Sequence, residues 1–154
     1  MLTESERNEI ETHLVQYPYR QGGVIDALKV VQRHRTWVSD EAIADLAAFL
    51  DMDPSELDSV ATYYNLIFRK PVGRHVILMC NSVSCWVMGC NRLQQSLTQT
   101  LDIEMGETTN DNRFTLLPVP CLGACEQAPA VLIDDDLHGD VSSEGIEDIL
   151  RRYE

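Results

Sequence analysis

Two pairs of cysteines, each placed directly after a short apolar run, constrain this 154-residue chain more than any other feature. The pairs are Cys80 with Cys85 and Cys121 with Cys125. The runs Val76–Met79 and Phe114–Leu117 precede them and predict buried β-strands. If these strands are parallel neighbours, the loops that follow them leave the same edge of a sheet. Four thiolates can then converge on one point.

The cysteines indicate a metal or redox site rather than a disulfide framework. Residues 1–7 are acidic and polar, unlike a secretory signal, so we expect the chain in the cytoplasm, where thiols stay reduced. Four thiolates hold either zinc or an iron–sulfur cluster. The gaps of four and three residues within the pairs are wider than those of zinc knuckles. They favour the larger [2Fe–2S] rhombus, with zinc left open as the alternative.

The residues around the cysteines suit a cluster of negative charge. Asn81, Ser82 and Ser84 offer small polar groups and backbone N–H donors to sulfur. A helix beginning near Trp86 would add its positive end. Trp86 itself could pack over the cluster loop, but a tryptophan at a helix start more often belongs to a core or an interface, so it is left unassigned. Gly123 permits close backbone approach or a positive φ.

The other candidate ligands are weaker. Cys90 is expected to be a small, partly buried side chain in the following helix and not a ligand. The four histidines show no ligand spacing to one another, which disfavours a Rieske-type site. The acidic run Asp134–Asp136 is interpreted as a solvated turn rather than a cation site.

The first part of the chain predicts helices. Between residues 3 and 68, apolar residues recur every three or four positions, and four short helices fit them. Thr3 and Glu6 form a potential capping box, and Asp53 precedes a proline at a first helical position. Pro71-Val72-Gly73 breaks the pattern. We therefore expect an N-terminal helical segment over residues 1–70 and a second domain over residues 71–154.

The second part predicts a small α/β unit. Its two apolar strands are joined through a helix around residues 91–101, which suggests a β-α-β crossover. A third strand over residues 130–133 and a closing helix over residues 143–153 complete a trimmed thioredoxin-like topology. The fold class is thus α/β, with an N-terminal helical bundle ahead of it.

Charge and missing motifs exclude several functions. With 12 Lys and Arg against 25 Asp and Glu, the net charge of −13 repels nucleic acid and anionic membranes. No apolar stretch is long enough for membrane insertion. The sequence has no dinucleotide loop, phosphate loop, nucleophile elbow or H-E-x-x-H motif. It also lacks the C-x-x-C pair of a thiol–disulfide oxidoreductase. The remaining function is that of an electron carrier beside a partner that performs hydride chemistry.

Several segments together resemble a known family. They are Tyr63–Asn65, Val76–Cys85, Gly106–Thr109, Phe114–Cys125 and Ala128-Pro129. In these the chain is similar to the E-subunit family of NADH:quinone oxidoreductase, respiratory complex I, whose members are thioredoxin-like [2Fe–2S] ferredoxins. The resemblance spans nearly the whole chain. The small subunits of NAD-linked formate dehydrogenases and NAD(P)-reducing hydrogenases have similar spacing and remain alternatives, as does a subunit whose metal is only a structural staple.

The resemblance implies a thioredoxin-like domain that binds one [2Fe–2S] cluster through Cys80, Cys85, Cys121 and Cys125. It implies a non-catalytic, electron-carrying subunit whose flavoprotein partner binds FMN and NADH and exchanges single electrons with the cluster. Further peripheral-arm subunits would complete the complex on the cytoplasmic side of the inner membrane. It also implies a proline that faces the metal site, for which Pro129 is the candidate. That the peptide bond before Pro129 is cis is a separate hypothesis, which the backbone conformation decides.

Overall fold

The protein is described by a computed structural model that covers residues 1–153. The chain divides into two compact units, one formed by Met1–Pro71 and one that begins at Val72. The mixed α/β class expected from the sequence is confirmed. Within the described residues, none of the helices combines the length and apolarity that a membrane span requires.

The first unit is helical. Residues 1–71 form α1 (Glu4–Leu14), α2 (Val24–Arg35), α3 (Asp40–Leu50) and α4 (Pro54–Tyr63), with a 3-10 turn at Arg20–Gly23. The prediction of four helices is confirmed. Their apolar faces meet in one core, because residues three or four positions apart lie on the same side of a helix. Its largest fully buried side chains are Ile10, Leu28, Leu46, Leu50 and Leu57.

Polar side chains cap α1, α3 and α4. The Thr3 hydroxyl accepts the Glu6 N–H while the Glu6 carboxylate accepts the Thr3 N–H, which confirms the capping box. Asp53 caps α4 by accepting the N–H of Ser55 at 2.8 Å. Glu6 has a second role, because its buried carboxylate also accepts two hydrogen bonds from Arg35, at 2.6 and 2.8 Å.

The second unit is built on a sheet. Across its described part, the strands are β1 (His75–Cys80), β2 (Phe114–Val119), β3 (Val131–Ile133) and β4 (Asp136–His138), in the order β2-β1-β3-β4. β1 and β2 are parallel, with Cys80 opposite Val119, whereas β3 is antiparallel to β1. The predicted parallel crossover is therefore confirmed. β4 was not predicted, because a three-residue edge strand has too few positions to show alternation.

The helices of this unit differ in part from those expected. They are α5 (Val83–Val87), α6 (Cys90–Leu101) and α7 (Ile146–Leu150). The helix expected to begin near Trp86 begins three residues earlier, after Ser82 in extended conformation. The closing helix is shorter than the expected 143–153, because Ser142 accepts the N–H of Gly145 and holds the preceding residues in a turn.

The acidic run is a turn with an added structural contact. Asp134 and Asp135 form the turn between β3 and β4, and Asp136 opens β4. Asp134 is not simply exposed to solvent, as a solvated turn would be. Its carboxylate accepts the N–H of Val76 at 2.9 Å and contacts the His75 ring at 2.7 Å. The turn thereby fixes the beginning of β1.

The segment Gly106–Thr109 lies along the outer edge of β2. The Gly106 N–H donates to the Leu116 carbonyl at 2.7 Å, and the Leu116 N–H donates to the Glu107 carbonyl at 3.1 Å. These contacts pair backbone groups that an open edge strand would leave exposed. The sheet is thus covered beside the strand that leads to the second cysteine pair.

Candidate metal centre

The parallel strands bring the two cysteine loops to one edge of the sheet. Cys80 is the last residue of β1, and its partner in register, Val119, is the last residue of β2. The N–H of Asn81 donates to the Val119 carbonyl at 3.1 Å, which ties the loops together. Cys121 follows two residues after Val119. The backbone of the two cysteine loops therefore lies at one edge of the sheet, as the sequence predicted for parallel neighbouring strands.

The four cysteines differ in exposure. Cys80 and Cys85 are buried, whereas Cys121 and Cys125 are exposed. Cys85 lies on α5, and Cys125 begins a 3-10 turn that runs to Gln127. Every cysteine of the described chain is a free thiol. The first pair is thus covered by protein while the second remains open to solvent.

The surroundings of Cys80 favour its thiolate. Burial raises the pKa of this thiol, but hydrogen bonds from the Ser82 N–H and from the Cys85 thiol lower it. The Leu122 N–H and the Cys121 thiol act in the same direction, so that the pKa lies below its ordinary value. These contacts place Cys85 and Cys121 beside Cys80.

Cys85 ionises after Cys80. Burial, followed by the neighbouring Cys80, raises the pKa of the Cys85 thiol to about 11, against the opposing effect of the hydrogen bond from the Ala130 N–H. Two adjacent thiols compete for one negative charge. A bound cation removes that competition, because it stabilises both thiolates together.

The second loop also directs a backbone donor at sulfur. The N–H of Gly123 donates to Sγ of Cys121 at 3.3 Å. Gly123 has a φ of +77°, which side chains other than glycine rarely adopt. The positive φ considered from the sequence is thus present, and it orients the N–H toward the cysteine.

A third segment completes the surroundings of the first pair. The Ala128–Pro129 peptide bond is cis, as hypothesised. The next residue, Ala130, accepts the N–H of Cys80 through its carbonyl at 3.2 Å and directs its own N–H at the Cys85 thiol. Both cysteines of the first pair therefore contact the same residue.

Cys90 is more deeply buried than the partial burial expected, and it lies closer to the site than the sequence indicated. It is 2% exposed at the first position of α6. Burial and the nearby Cys80 both raise the pKa of its thiol. The residue in the sequence that could have indicated this position is Gly89, whose φ of +98° turns the chain between α5 and α6. A neutral thiol at this position packs beside the centre.

The donor set has the chemistry that a cluster requires. Thiolates are the ligands of iron–sulfur clusters, and N–H groups aimed at sulfur stabilise their negative charge. Within residues 1–153, no three Cys, His, Asp or Glu side chains converge closely enough to hold a metal ion. Cys80 nevertheless has Cys85 and Cys121 as hydrogen-bonding neighbours, and Cys125 lies on the same loop as Cys121. The four-ligand set stays a prediction.

Known proteins resemble this chain over most of its length. The family model for thioredoxin-like [2Fe–2S] ferredoxins matches residues 10–154. The NADH-quinone oxidoreductase E subunit of Pseudomonas aeruginosa is 45% identical over 153 residues, which is 99% of this chain and 92% of that protein. The corresponding E subunit of Escherichia coli strain K12 is 45% identical over 152 residues, again 99% of this chain and 92% of the relative.

A solved structure shares the fold. The NAD+-reducing [NiFe]-hydrogenase in its air-oxidised state matches 85% of this chain with a TM-score of 0.72 and 25% identity. The match covers 22% of the hydrogenase chain, so this protein spans about a fifth of that longer chain. The chain therefore belongs to the thioredoxin-like [2Fe–2S] ferredoxin family, among the E subunits of NADH-quinone oxidoreductases.

Proposed function

We propose that this chain is the electron-transfer subunit of an NADH-quinone oxidoreductase. In this function it holds one [2Fe–2S] cluster and exchanges single electrons with the FMN of an adjacent flavoprotein subunit, which also binds NADH. The observation that carries the proposal is the position of the two cysteine loops at the common end of β1 and β2. When bound, the cluster supplies one-electron redox chemistry.

The chain's own residues hold and tune that centre. Cys80, Cys85, Cys121 and Cys125 are the proposed ligands. Backbone N–H groups of Ser82, Leu122, Gly123 and Ala130 are directed at their sulfurs. Because each N–H favours added negative charge on sulfur, these donors stabilise the reduced state of the centre relative to the oxidised one. Burial of the first cysteine pair also keeps water from that side.

Assignment to the complex rests on relatives rather than on fold alone. The relatives at 45% identity are named as one subunit of a larger oxidoreductase, which supports a multisubunit assembly here. We place it in the peripheral part of the complex, on the cytoplasmic side of the inner membrane. A hydrogenase subunit is the second candidate, supported by the structural match at 25% identity. The higher identity favours the quinone-reducing complex.

The cluster is tested first on the isolated chain. The protein is purified anaerobically, and iron and acid-labile sulfide are counted beside absorption and low-temperature EPR spectra. We expect about two iron ions and about two sulfide ions per chain, the composition of one [2Fe–2S] cluster. The oxidised protein should give no EPR signal, and the dithionite-reduced protein should give an S = 1/2 signal. A colourless protein with about one zinc per chain would contradict the electron-carrier function.

Electron exchange with flavin is tested separately. The cluster-loaded chain is mixed with the FMN-containing flavoprotein subunit, and NADH is added without dithionite. We expect the cluster's EPR signal to appear only when both the flavoprotein and NADH are present. A cluster that dithionite reduces but this mixture does not would leave the metal centre in place and refute the exchange with FMN.

A further inference from the structure

The cysteines of the two loops differ in how readily an oxidant reaches them. Cys121 and Cys125 are exposed, whereas Cys80 and Cys85 are only 3% and 2% exposed. Oxidation of a cysteine by a small molecule in solution follows the exposure of its sulfur. In a chain without its cluster, oxidation therefore begins on the second loop.

Cys121 also has a second thiol beside it, on the other loop. Cys80 and Cys121 are hydrogen-bonding neighbours. Cys80 ends β1 opposite Val119, the end of β2, and Cys121 follows two residues later. The Asn81 N–H holds the two strand ends together through the Val119 carbonyl at 3.1 Å. Neighbouring thiols on fixed backbone segments are the arrangement that disulfide formation requires.

Two other pairings compete with this one. Cys125 is exposed like Cys121, so a bridge within the second loop is one alternative. Cys85 is also a hydrogen-bonding neighbour of Cys80, but both of these thiols are buried, so neither of them meets the oxidant first. The pair of Cys121 with Cys80 combines an exposed sulfur with a thiol in contact with it.

We propose that hydrogen peroxide joins Cys80 and Cys121 in a reversible disulfide when the chain lacks its cluster. In the first step, Sγ of Cys121 attacks peroxide and the O–O bond breaks, which gives a sulfenic acid and one water. In the second step, Sγ of Cys80 attacks the oxidised sulfur and the S–O bond breaks, which gives the disulfide and a second water. The two thiols lose two electrons and two hydrogens, and peroxide is reduced to water.

The disulfide would control when the cluster can be loaded. This inference rests on the proposed function, because Cys80 and Cys121 belong to the proposed ligand set. The bridge takes one sulfur from each pair, so that only Cys85 and Cys125 of that set stay free. Two thiols are too few for a cluster that takes four cysteine ligands. Because Cys121 is exposed, a dithiol can reach the bridge and restore both thiols.

The experiment uses the full chain after a chelator has removed its cluster under reducing conditions. About one equivalent of hydrogen peroxide is added, since one peroxide oxidises two thiols. Free thiols are then alkylated, and the chain is cut with trypsin. Because Arg and Lys are absent from residues 75–91 and 114–150, the first pair and the second pair fall in separate peptides, 75–92 and 114–151. A bridge across the sheet edge links these peptides, whereas a bridge within either loop does not.

Serine variants identify the two sulfurs. We expect wild type to lose two of its five thiols and to give the linked peptides. Cys80→Ser should instead accumulate a sulfenic acid that dimedone labels on Cys121. Cys121→Ser should keep its remaining thiols at least about tenfold longer than wild type. The matched controls Cys85→Ser, Cys90→Ser and Cys125→Ser should form the linked peptides within about threefold of the wild-type rate.

Loading is measured on the same wild-type samples as uptake of iron and sulfide during reconstitution. We expect the oxidised chain to take up less than about a tenth of the cluster that the reduced chain takes up, because two of the four ligands are blocked. Dithiothreitol should restore uptake. Equal uptake by the oxidised and reduced chains would reject the control of loading.

The peptide map decides the inference separately from the proposed function. A wild-type bridge confined to either peptide, or oxidation that yields no bridge, would overturn the inference and leave the proposed function intact. Linked peptides that persist in Cys80→Ser or in Cys121→Ser would overturn the assignment of that sulfur. A fully reduced wild-type chain that takes up no cluster would reject the proposed function, whatever the peptide map shows.

Discussion

The backbone N–H of Gly123 donates to Sγ of Cys121 at 3.3 Å from a φ of +77°. In Gly123→Ala, the added Cβ meets no heavy atom within 4 Å in the described chain beyond the residue itself and its two chain neighbours, so the cost is backbone strain of about 1 kcal/mol rather than a clash. We expect the fold to persist and the cluster to be lost to a chelator about fivefold faster. The measurement is the decay of visible absorbance under a fixed chelator concentration.

Gly106→Ala is the matched control for this prediction. Gly106 also has a positive φ, +95°, and open space around its Cβ, but its N–H donates to a strand carbonyl instead of a sulfur. Its stability cost should therefore be similar while its cluster-loss rate stays near wild type. Equal acceleration in both variants would show that the Gly123 N–H has no specific role at the metal centre.

Substitution of Cys85 and of Cys90 distinguishes a proposed ligand from a neighbouring thiol. Both are buried, and both have a raised pKa because of burial and the proximity of Cys80. Cys85→Ala should remove the cluster's EPR signal and reduce iron to well below the wild-type content, since one proposed ligand is missing. Cys90→Ala should retain iron, sulfide and spectrum. Loss of the cluster in Cys90→Ala with its retention in Cys85→Ala would exchange the two assignments.

The sequence predicted those parts of the fold that have local or periodic signals. The helices of the first unit are marked by apolar spacing and by caps such as Thr3 and Asp53, and these act within one or two turns. The common edge for the cysteine loops followed from two apolar runs with a crossover between them. Each of these inferences needed only the order of elements along the chain.

The remaining features depend on tertiary structure. Helix α5 has only five residues, including two β-branched valines, so its propensity is weak and its beginning was misplaced. The closeness of Cys90 to the centre arises from the turn at Gly89. The exposure of Trp86 contradicts the general burial of large apolar residues, and no local pattern distinguishes such a surface from a core.

Thr115 is a buried hydroxyl that connects three segments of the second unit. Its Oγ1 accepts the N–H of Gly73 at 2.6 Å and shares a hydrogen bond with Thr108 at 2.7 Å. Thr115→Val keeps the shape but leaves the Gly73 N–H without its partner, which should destabilise the unit by about 2 kcal/mol. Thr100→Val, at an exposed helical position, should have little effect. The free energy of unfolding of both variants is measured by urea unfolding. Equal destabilisation of the two variants would contradict the prediction.

The Glu6–Arg35 pair makes the first unit sensitive to acid. The Arg35 guanidinium and the Thr3 N–H lower the pKa of Glu6 from 4.5 to about 2, against the opposing effect of burial. Because the pKa is lower in the folded state, this stabilisation is complete above about pH 4.5 and is lost as the pH falls toward 2. Its size is about 3 kcal/mol.

Glu6→Gln tests this directly. The substitution removes the charge that faces Arg35, so we expect about 3 kcal/mol of destabilisation at pH 7 and a difference from wild type that shrinks below about pH 4.5. Glu9→Gln, which breaks the more exposed contacts of Glu9 with His34 and Arg33, should change little. Urea unfolding is followed by the fluorescence of Trp37, which lies in the first unit, in a Trp86→Phe background. A difference between Glu6→Gln and wild type that is constant from pH 7 to pH 3 would refute the electrostatic origin, because a purely steric effect does not titrate.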